Sequence, residues 1–365
     1  MNSLHPTWIE IDLAAITNNC AHIIRETGTA LLAVVKGDAY GHGAVEVSKA
    51  AVAGGVDWLG VARFGEAREL RQSGIETPVL VLGMASPNEV DEAIAKNVTL
   101  TLHSVESMRL YSERARSANR TVRVHLKIDT GMGRLGILAG DCSLFTRQAV
   151  AAGGIVIDGM YSHLAMAEEQ DKLNDIQYER FQLAVNAMEA AGLRPRWVHL
   201  ANSGAAFSLP KTRLDMVRVG NVILGLRIRI GQALPEYYRP ALTWKAQLAS
   251  CRDLPPGWGV GYGQSYKTKG GEIIGVVPVG FGDGLRQIPG NQVLIDGQKA
   301  AVAGRLCLDQ CMVQLQKHYP MGEEVVIIGK QGNSAIWVHD LAALYQISQV
   351  DFTTLIHKRV PRIYV

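Results

Sequence analysis

The sequence has no run of eighteen apolar residues, no internal repeat and no low-complexity tract. The first absence leaves no segment that reads as a transmembrane helix. It also has no basic run, and its formal net charge is only +3, so it carries no electrostatic footprint for nucleic acid. Cysteine is scarce: Cys20, Cys142, Cys251, Cys307 and Cys311. Such an odd, scattered set makes a poor disulfide framework. Cys307 and Cys311 have no second pair to complete a zinc site, and no bound metal is expected. The opening MNSLHPTWIEIDL lacks the basic stretch and apolar stretch of a secretory signal. The thiols are therefore read as reduced, in a cytoplasmic protein. What the chain has in quantity is apolar residue: 47% hydrophobic against 19% charged over 365 residues. That suffices for a large core and for two domains.

Short runs rich in Val, Ile and Leu recur at Leu31–Val35, Trp58–Ala62, Pro78–Leu82, Val98–Leu102, Val122–Ile128, Ile155–Tyr161, Trp197–Leu200 and Met216–Val219. Each is short and continuously apolar, as a buried parallel strand is. Between them lie helical stretches at Gly43–Ala53, Glu66–Ser73, Pro87–Ala95 and Asp175–Ala191. Eight strands alternating with helices predict a (β/α)8 barrel. The rival, a doubly wound open sheet, would need a glycine-rich first turn that is absent. After about residue 235 the texture changes to short alternating runs separated by glycines, the pattern of an antiparallel β domain. The expected division is therefore 1–235 and 236–365. Residues 1–13 carry an alternating stretch at Thr7–Leu13 that is expected to pair with the second domain.

The chemistry starts at Leu31–Gly43, LLAVVKGDAYGHG, where an apolar strand runs into Lys36 and then a glycine-rich loop. Carboxyl ends of barrel strands face the active site. A lysine walled by apolar strands has a depressed pKa and is a usable amine nucleophile. By itself Val-Lys-Gly reads equally as a solvated lysine in a turn. Phosphate sites in such barrels often lie on the loops after the seventh and eighth strands. Here those loops are Asn202-Ser203-Gly204 and Arg218-Val219-Gly220-Asn221. Each has a glycine at which backbone can approach an anion, although Asn-Ser-Gly is also an ordinary turn. An aldehyde and a phosphate beside a buried lysine point to pyridoxal 5'-phosphate. A metal-dependent barrel hydrolase is the alternative, because His125, His163 and His199 lie on strands. However, no His-x-His opens the first strand.

Over essentially its whole length the chain resembles the fold-type III alanine racemase family. The resemblance rests on Ala33-Val-Val-Lys-Gly-Asp-Ala-Tyr-Gly-His-Gly43, Lys127-Ile-Asp-Thr-Gly-Met-Gly-Arg-Leu-Gly136, Ser162-His-Leu-Ala165, Gly261-Tyr-Gly263, Gly304-Arg-Leu-Cys-Leu-Asp-Gln310 and Arg359-Val-Pro-Arg362. It implies interconversion of L- and D-alanine by two bases on opposite faces of the substrate carbon, supplying D-alanine for peptidoglycan. Lys36 is implied to carry the cofactor and act on the D-face, and Tyr262 to act on the L-face. His163 and Arg218 would assist that phenol, whose reference pKa is about 10. Arg218 would also face the pyridine nitrogen. Tyr40, Asn202, Ser203, Gly220 and Asn221 would complete the cofactor site. Arg134 and the backbone at Leu308 would hold the substrate carboxylate, with Asp309 in support. Lys127, carbamylated, would steady Arg134. In the family the residues matching Tyr262 and Leu308 come from a partner subunit, which implies a homodimer with shared sites.

The chain departs from the family pattern at several positions. A tyrosine before Arg-Val-Pro-Arg is Lys358 here. Gly-Tyr-Ala-Asp-Gly reads Gly280-Phe-Gly-Asp-Gly284, Cys-Met-Asp reads Cys307-Leu-Asp309, and Arg-Pro-Gly-Ile reads Arg218-Val-Gly-Asn221. Two readings stay open: room for serine or a larger side chain, with Lys358 pairing with phosphate or a polar substrate, or drift with compensation nearby. A barrel decarboxylase would lack the Gly-Tyr-Gly. A non-catalytic cofactor-binding protein would lack the second domain.

Overall fold

The buried apolar runs do become strands. In the computed structural model, which describes residues 5–169, 171–229 and 231–365, eight of them pair in parallel in chain order. They are Ala30–Val34, Trp58–Val61, Val79–Val81, Thr99–Leu102, Val122–Asp129, Ile155–Tyr161, Trp197–His199 and Met216–Val219. The last pairs back onto the first, with Met216 opposite Ala30 and Val219 opposite Ala33. The remaining seam, between Trp197–His199 and Met216–Val219, is bridged by Asp215 N–H to Val198 O at 3.1 Å and Arg218 N–H to Ala201 O at 3.0 Å. The result is a nearly closed barrel. Continuous Val/Ile/Leu runs suit it because both faces of each strand are covered.

Helices lie between the strands. Pro87–Ala95 begins at the expected proline, and the Glu89 carboxylate accepts from Ser86 N–H at 2.8 Å, closing a capping box. The helices Ala44–Ala53, Phe64–Gln72 and Lys172–Ala190 match the other expected helical stretches within a few residues. Leu13–Thr27, Val105–Ser117 and Cys142–Ala152 are further helices that the sequence reading did not single out.

Beyond the barrel the strands turn antiparallel. Leu242–Gln247 lies between Thr7–Ile11 and Glu324–Gln331, and Gln292–Ile295 and Gln298–Ala301 extend the same sheet. A smaller sheet joins Ser250–Asp253, Ile273–Val277 and Cys311–Leu315. Thr7–Ile11 pairs antiparallel with Leu242–Gln247 and parallel with Arg362–Tyr364. Of the stretch 1–13, residues 1–4 lie outside the described residues. Two helices, Val338–Tyr345 and Gln349–Leu355, were not expected in this part. Gln349–Leu355 reads QVDFTTL, a strand-like composition. The Ser348 hydroxyl capping Asp351 N–H at 3.1 Å and the full burial of Phe352 make it a helix.

Trp244 is fully buried where Leu242–Gln247 meets Thr7–Ile11, and its indole N–H donates to Thr7 Oγ1 at 2.9 Å. Trp244→Ala empties a large site and removes one bond to that hydroxyl, which still donates to Lys245 O at 2.9 Å. The expected loss is about 3–5 kcal/mol, measured by urea unfolding; a change under 1 kcal/mol would contradict this packing.

Candidate active site

Lys36 stands just past the first barrel strand, and the chain then does something rare. Gly37, Asp38, Ala39 and Tyr40 all have φ between 49° and 61°, a left-handed helical turn. Only glycine enters that region freely, and each other residue costs roughly 1–2 kcal/mol. Several bonds hold the turn. Gly37 N–H donates to Glu66 Oε1 at 2.6 Å and Ala44 N–H to Asp38 Oδ1 at 2.8 Å. Gly43 N–H reaches Asp38 O at 2.9 Å. Glu66, expected only as the first residue of a helical stretch, also accepts from Ala62 N–H at 2.7 Å. The turn directs the Tyr40 ring onto Gly220, where any Cβ would strike the phenol oxygen. Gly220 N–H in turn donates to Ser203 Oγ at 3.1 Å. The loops after the first, seventh and eighth strands are thereby brought together.

These groups open onto a cavity of about 430 Å³ at the barrel mouth. It collects Lys36, Tyr40, Lys127, Arg134, His163, Asn202, Ser203, Arg218, Gly220 and Asn221. It also takes Tyr161, Glu168 and, from the helix Gln349–Leu355, Val350, which the sequence reading missed. Tyr161 ends a strand and had no motif to mark it. The cationic side chains Lys36, Lys127, Arg134 and Arg218 face Glu168 as the one carboxylate on the wall. The Lys36 ammonium is pushed below its ordinary pKa, first by burial and then by the Arg134 charge.

Arg218 is 4% exposed. It donates to Ser162 O at 2.7 Å, Leu200 O at 3.0 Å, His199 Nδ1 at 3.1 Å and His163 Nδ1 at 3.3 Å. A guanidinium has only donors, so both Nδ1 atoms must carry lone pairs. His199 then holds its proton on Nε2 and donates to His125 Nδ1 at 2.9 Å. The His125 proton falls on Nε2, which is buried without a partner. All three rings are neutral. Burial, followed by the Arg218 charge, holds His125 down at about 3 and His163 at about 2. This network also answers the metal alternative: the histidines surround a fixed positive charge, which repels a cation. Tyr161 stacks on His199, with ring centres 4.9 Å apart and planes at 5°.

Lys127 is 4% exposed. Its Nζ lies 4.5 Å from the Tyr161 ring centre and has no hydrogen-bond partner. Burial and the charges of Arg218 and Arg134 lower its pKa strongly. Tyr262, Leu308, Asp309 and Lys358 are not brought into this cavity. They are exposed on the antiparallel part, with Tyr262 68% and Leu308 53% accessible. There Gly282 N–H donates to Leu308 O at 2.7 Å. Phe281 and Trp258 are also exposed on this part of the chain.

The fold and this site define a barrel protein whose mouth presents a partly buried amine within an anion-seeking cavity. The comparisons with known proteins agree. The family model "Alanine racemase, N-terminal domain" matches residues 11–228, and "Alanine racemase, C-terminal domain" matches 241–364. The chain is 38% identical to the alanine racemase of Symbiobacterium thermophilum, covering 100% of this chain and 98% of that one. It is also 38% identical to that of Geobacillus stearothermophilus, covering 100% and 95%. The crystal structure of alanine racemase from Bacillus anthracis with bound L-Ala-P superposes with a TM-score of 0.93 at 34% identity, covering 100% of this chain and 96% of that chain. The chain belongs to the alanine racemase family.

His42, His125 and His199 are fully buried, and burial lowers the pKa of each, to about 4 for His42. The unfolded chain binds these protons first. Stability is therefore complete above the ordinary histidine pKa of about 6.5 and falls as the pH drops below it. The slope reaches up to about 1.4 kcal/mol per pH unit for each ring. Urea midpoints between pH 8 and 5 should show this fall, and His125→Gln should make it shallower. A flat profile would contradict the neutral network.

Proposed function

We propose that the protein is a pyridoxal-phosphate-dependent racemase that interconverts L- and D-alanine, supplying D-alanine for peptidoglycan in the cytoplasm. The observation that carries this reading is the half-buried Lys36 amine, its pKa lowered, on the wall of a cavity with four cationic side chains and one carboxylate. The residues present fit the cofactor. Tyr40 OH and Ser203 Oγ supply hydroxyls beside Gly220, whose missing side chain lets the Tyr40 phenol approach and whose N–H meets Ser203, so that the two hydroxyls would hold a phosphate together. Arg218 sits deep among carbonyl and imidazole acceptors, with no carboxylate among its hydrogen-bond partners in the described residues. When bound, the group supplies an aldehyde to join to an amine and a ring that withdraws electrons from the adjacent carbon.

The chain's own residues would then divide the work. Lys36 holds the cofactor and moves the proton on one face of the substrate carbon. The partner subunit's Tyr262 moves the proton on the other face. Arg218 keeps its proton and leaves the pyridine nitrogen unprotonated. Arg134 and the Leu308 backbone hold the substrate carboxylate, with Asp309 in support. His163, neutral and bonded to Arg218 through Nδ1, has its Nε2 proton free for the Tyr262 oxygen. The Lys127 amine has no hydrogen-bond partner among the described residues, and burial favours its neutral form, which is the form that adds carbon dioxide. The nitrogen would bond to the carbon as one C=O π bond opens onto oxygen, a proton would leave to solvent, and the carbamate would pair with Arg134.

Tyr262 and Leu308 lie exposed and outside their own chain's cavity, which supports a homodimer with shared sites. We divide the chain near residue 235, with 1–235 as the barrel and 236–365 as the second domain. Phe281 and Lys358, the departures from the family pattern that replace tyrosines, are where tolerance of serine or larger side chains would arise. Lys358 does not line its own chain's cavity.

In heavy water the protein should remove the α-proton signal of both alanine enantiomers. Persistence of that signal with cofactor bound would make it a binding protein instead. Lys36→Ala should abolish the visible-edge absorbance of the cofactor joined to its lysine, and an unchanged spectrum would refute the assignment. Tyr262→Phe should slow exchange from L-alanine by about 10²–10⁴-fold while the cofactor stays bound; equal slowing from both enantiomers counts against its role.

A further inference from the structure

The segment Arg359-Val-Pro-Arg362 touches neither the cavity nor the exposed Tyr262 turn, yet its two arginines are the most heavily engaged side chains of the C-terminal segment. Arg362 donates only to backbone carbonyls: Gly41 O at 3.0 Å, Ile356 O at 2.9 Å, His357 O at 2.9 Å and Val360 O at 2.7 Å. Gly41 directly follows the left-handed turn that carries Tyr40. It lies so close to the Thr353 carbonyl that any side chain there would collide with it. Arg359 points elsewhere. Its Nε donates to the nearly buried Asp283 carboxylate at 2.6 Å and its Nη2 to Leu308 O at 3.1 Å. Asp283 in turn accepts from Gly280 N–H at 2.8 Å through its other oxygen, and its carbonyl accepts from His357 N–H at 3.0 Å. The spacing between the arginines is fixed by Pro361 and by Val360, which is fully buried.

We propose that Arg359 and Arg362 are positioning residues, one for each half-site that a single chain carries. Arg362 clamps the strained turn after Lys36, and so sets Lys36 and Tyr40 at this chain's own cavity. Arg359 clamps the Gly280–Asp283 and Leu308 loops, which meet the substrate on a partner's cavity; this clause rests on the homodimer reading above. The strain gives the first clamp its purpose: Glu66 and Asp38 hold the start of the turn, and its end relaxes toward ordinary backbone angles when the Arg362 tie at Gly41 is cut. Lysine cannot replace either arginine. Both use the guanidinium as a planar fork between separate acceptors, and an ammonium cannot span them.

The test is amide hydrogen exchange on the full chain, read by mass spectrometry, for Arg362→Lys and Arg359→Lys. Arg362→Lys should speed exchange in residues 37–43 at least tenfold and leave 280–284 and 306–309 unchanged. Arg359→Lys should do the reverse. The readout needs neither cofactor nor activity, so it stands or falls apart from the racemase reading. Unchanged exchange in the matching segment, or uniform acceleration across the barrel in both variants, would overturn the proposal. If Arg362→Lys fails to fold, Arg362→Gln keeps a shorter donor for Gly41 O and is scored in the same way. In the loaded enzyme Arg362→Lys should lower kcat at little cost in KM, and Arg359→Lys should mainly raise KM. The same effect from both would contradict separate clamps.

Discussion

A guanidinium buried without a carboxylate sets the terms for everything around it. Arg218 loses its water on folding, a cost normally met by an ion pair. Here it is met by two carbonyls and two imidazole nitrogens. That choice of partners has consequences. A donor-only group fixes which nitrogen of His199 and His163 is bare, and the constraint passes through His199 to His125. It keeps all three rings neutral. It also leaves the positive charge uncancelled, which adds to burial in lowering the pKa of Lys127, while burial and the Arg134 charge lower that of Lys36. Burial and the clustered charges of Arg218 and Arg134 thus turn two lysines toward their reactive, neutral forms and make the cavity a sink for anions.

The second constraint is mechanical. A barrel rim alone does not hold four successive residues in left-handed geometry. The turn after Lys36 persists because it is tied on two sides, by Glu66 from the barrel and by Arg362 from the C-terminal strand. The C-terminal part is therefore more than a platform for Tyr262. Through Thr7–Ile11, which lies between Leu242–Gln247 and Arg362–Tyr364, it closes over the start of the barrel and braces the loop that carries the amine.

Much of this was legible in the residues. The eight barrel strands could be read because parallel strands covered on both faces need unbroken apolar runs, and Leu31–Val35 or Met216–Val219 leave little else to be. The ten expected barrel-side residues meet in one cavity because each sits at a strand's carboxyl end or in the segment that follows one. The rest was hidden for definite reasons. Gln349–Leu355 has a strand's composition, and only its cap and the packing of Phe352 make it a helix. Tyr161 and Val350 reach the cavity through the fold and carry no local motif. His125 and His199 stood out as strand histidines, but their service to Arg218 depends on ring orientation, which spacing does not encode. Glu66 caps its own helix through the Ala62 and Arg63 amides, but its reach to Gly37, 29 residues away, is not encoded locally.

The central claim is that the Lys36 amine is the group that takes an aldehyde inside this cavity. The direct measurement is reductive trapping: pyridoxal phosphate is added to the purified protein, the product is reduced with borohydride, and the modified peptide is located by mass spectrometry. One adduct per chain, on Lys36, is the expected result. An adduct on a surface lysine, or spread over several lysines with Lys36 untouched, would contradict the account.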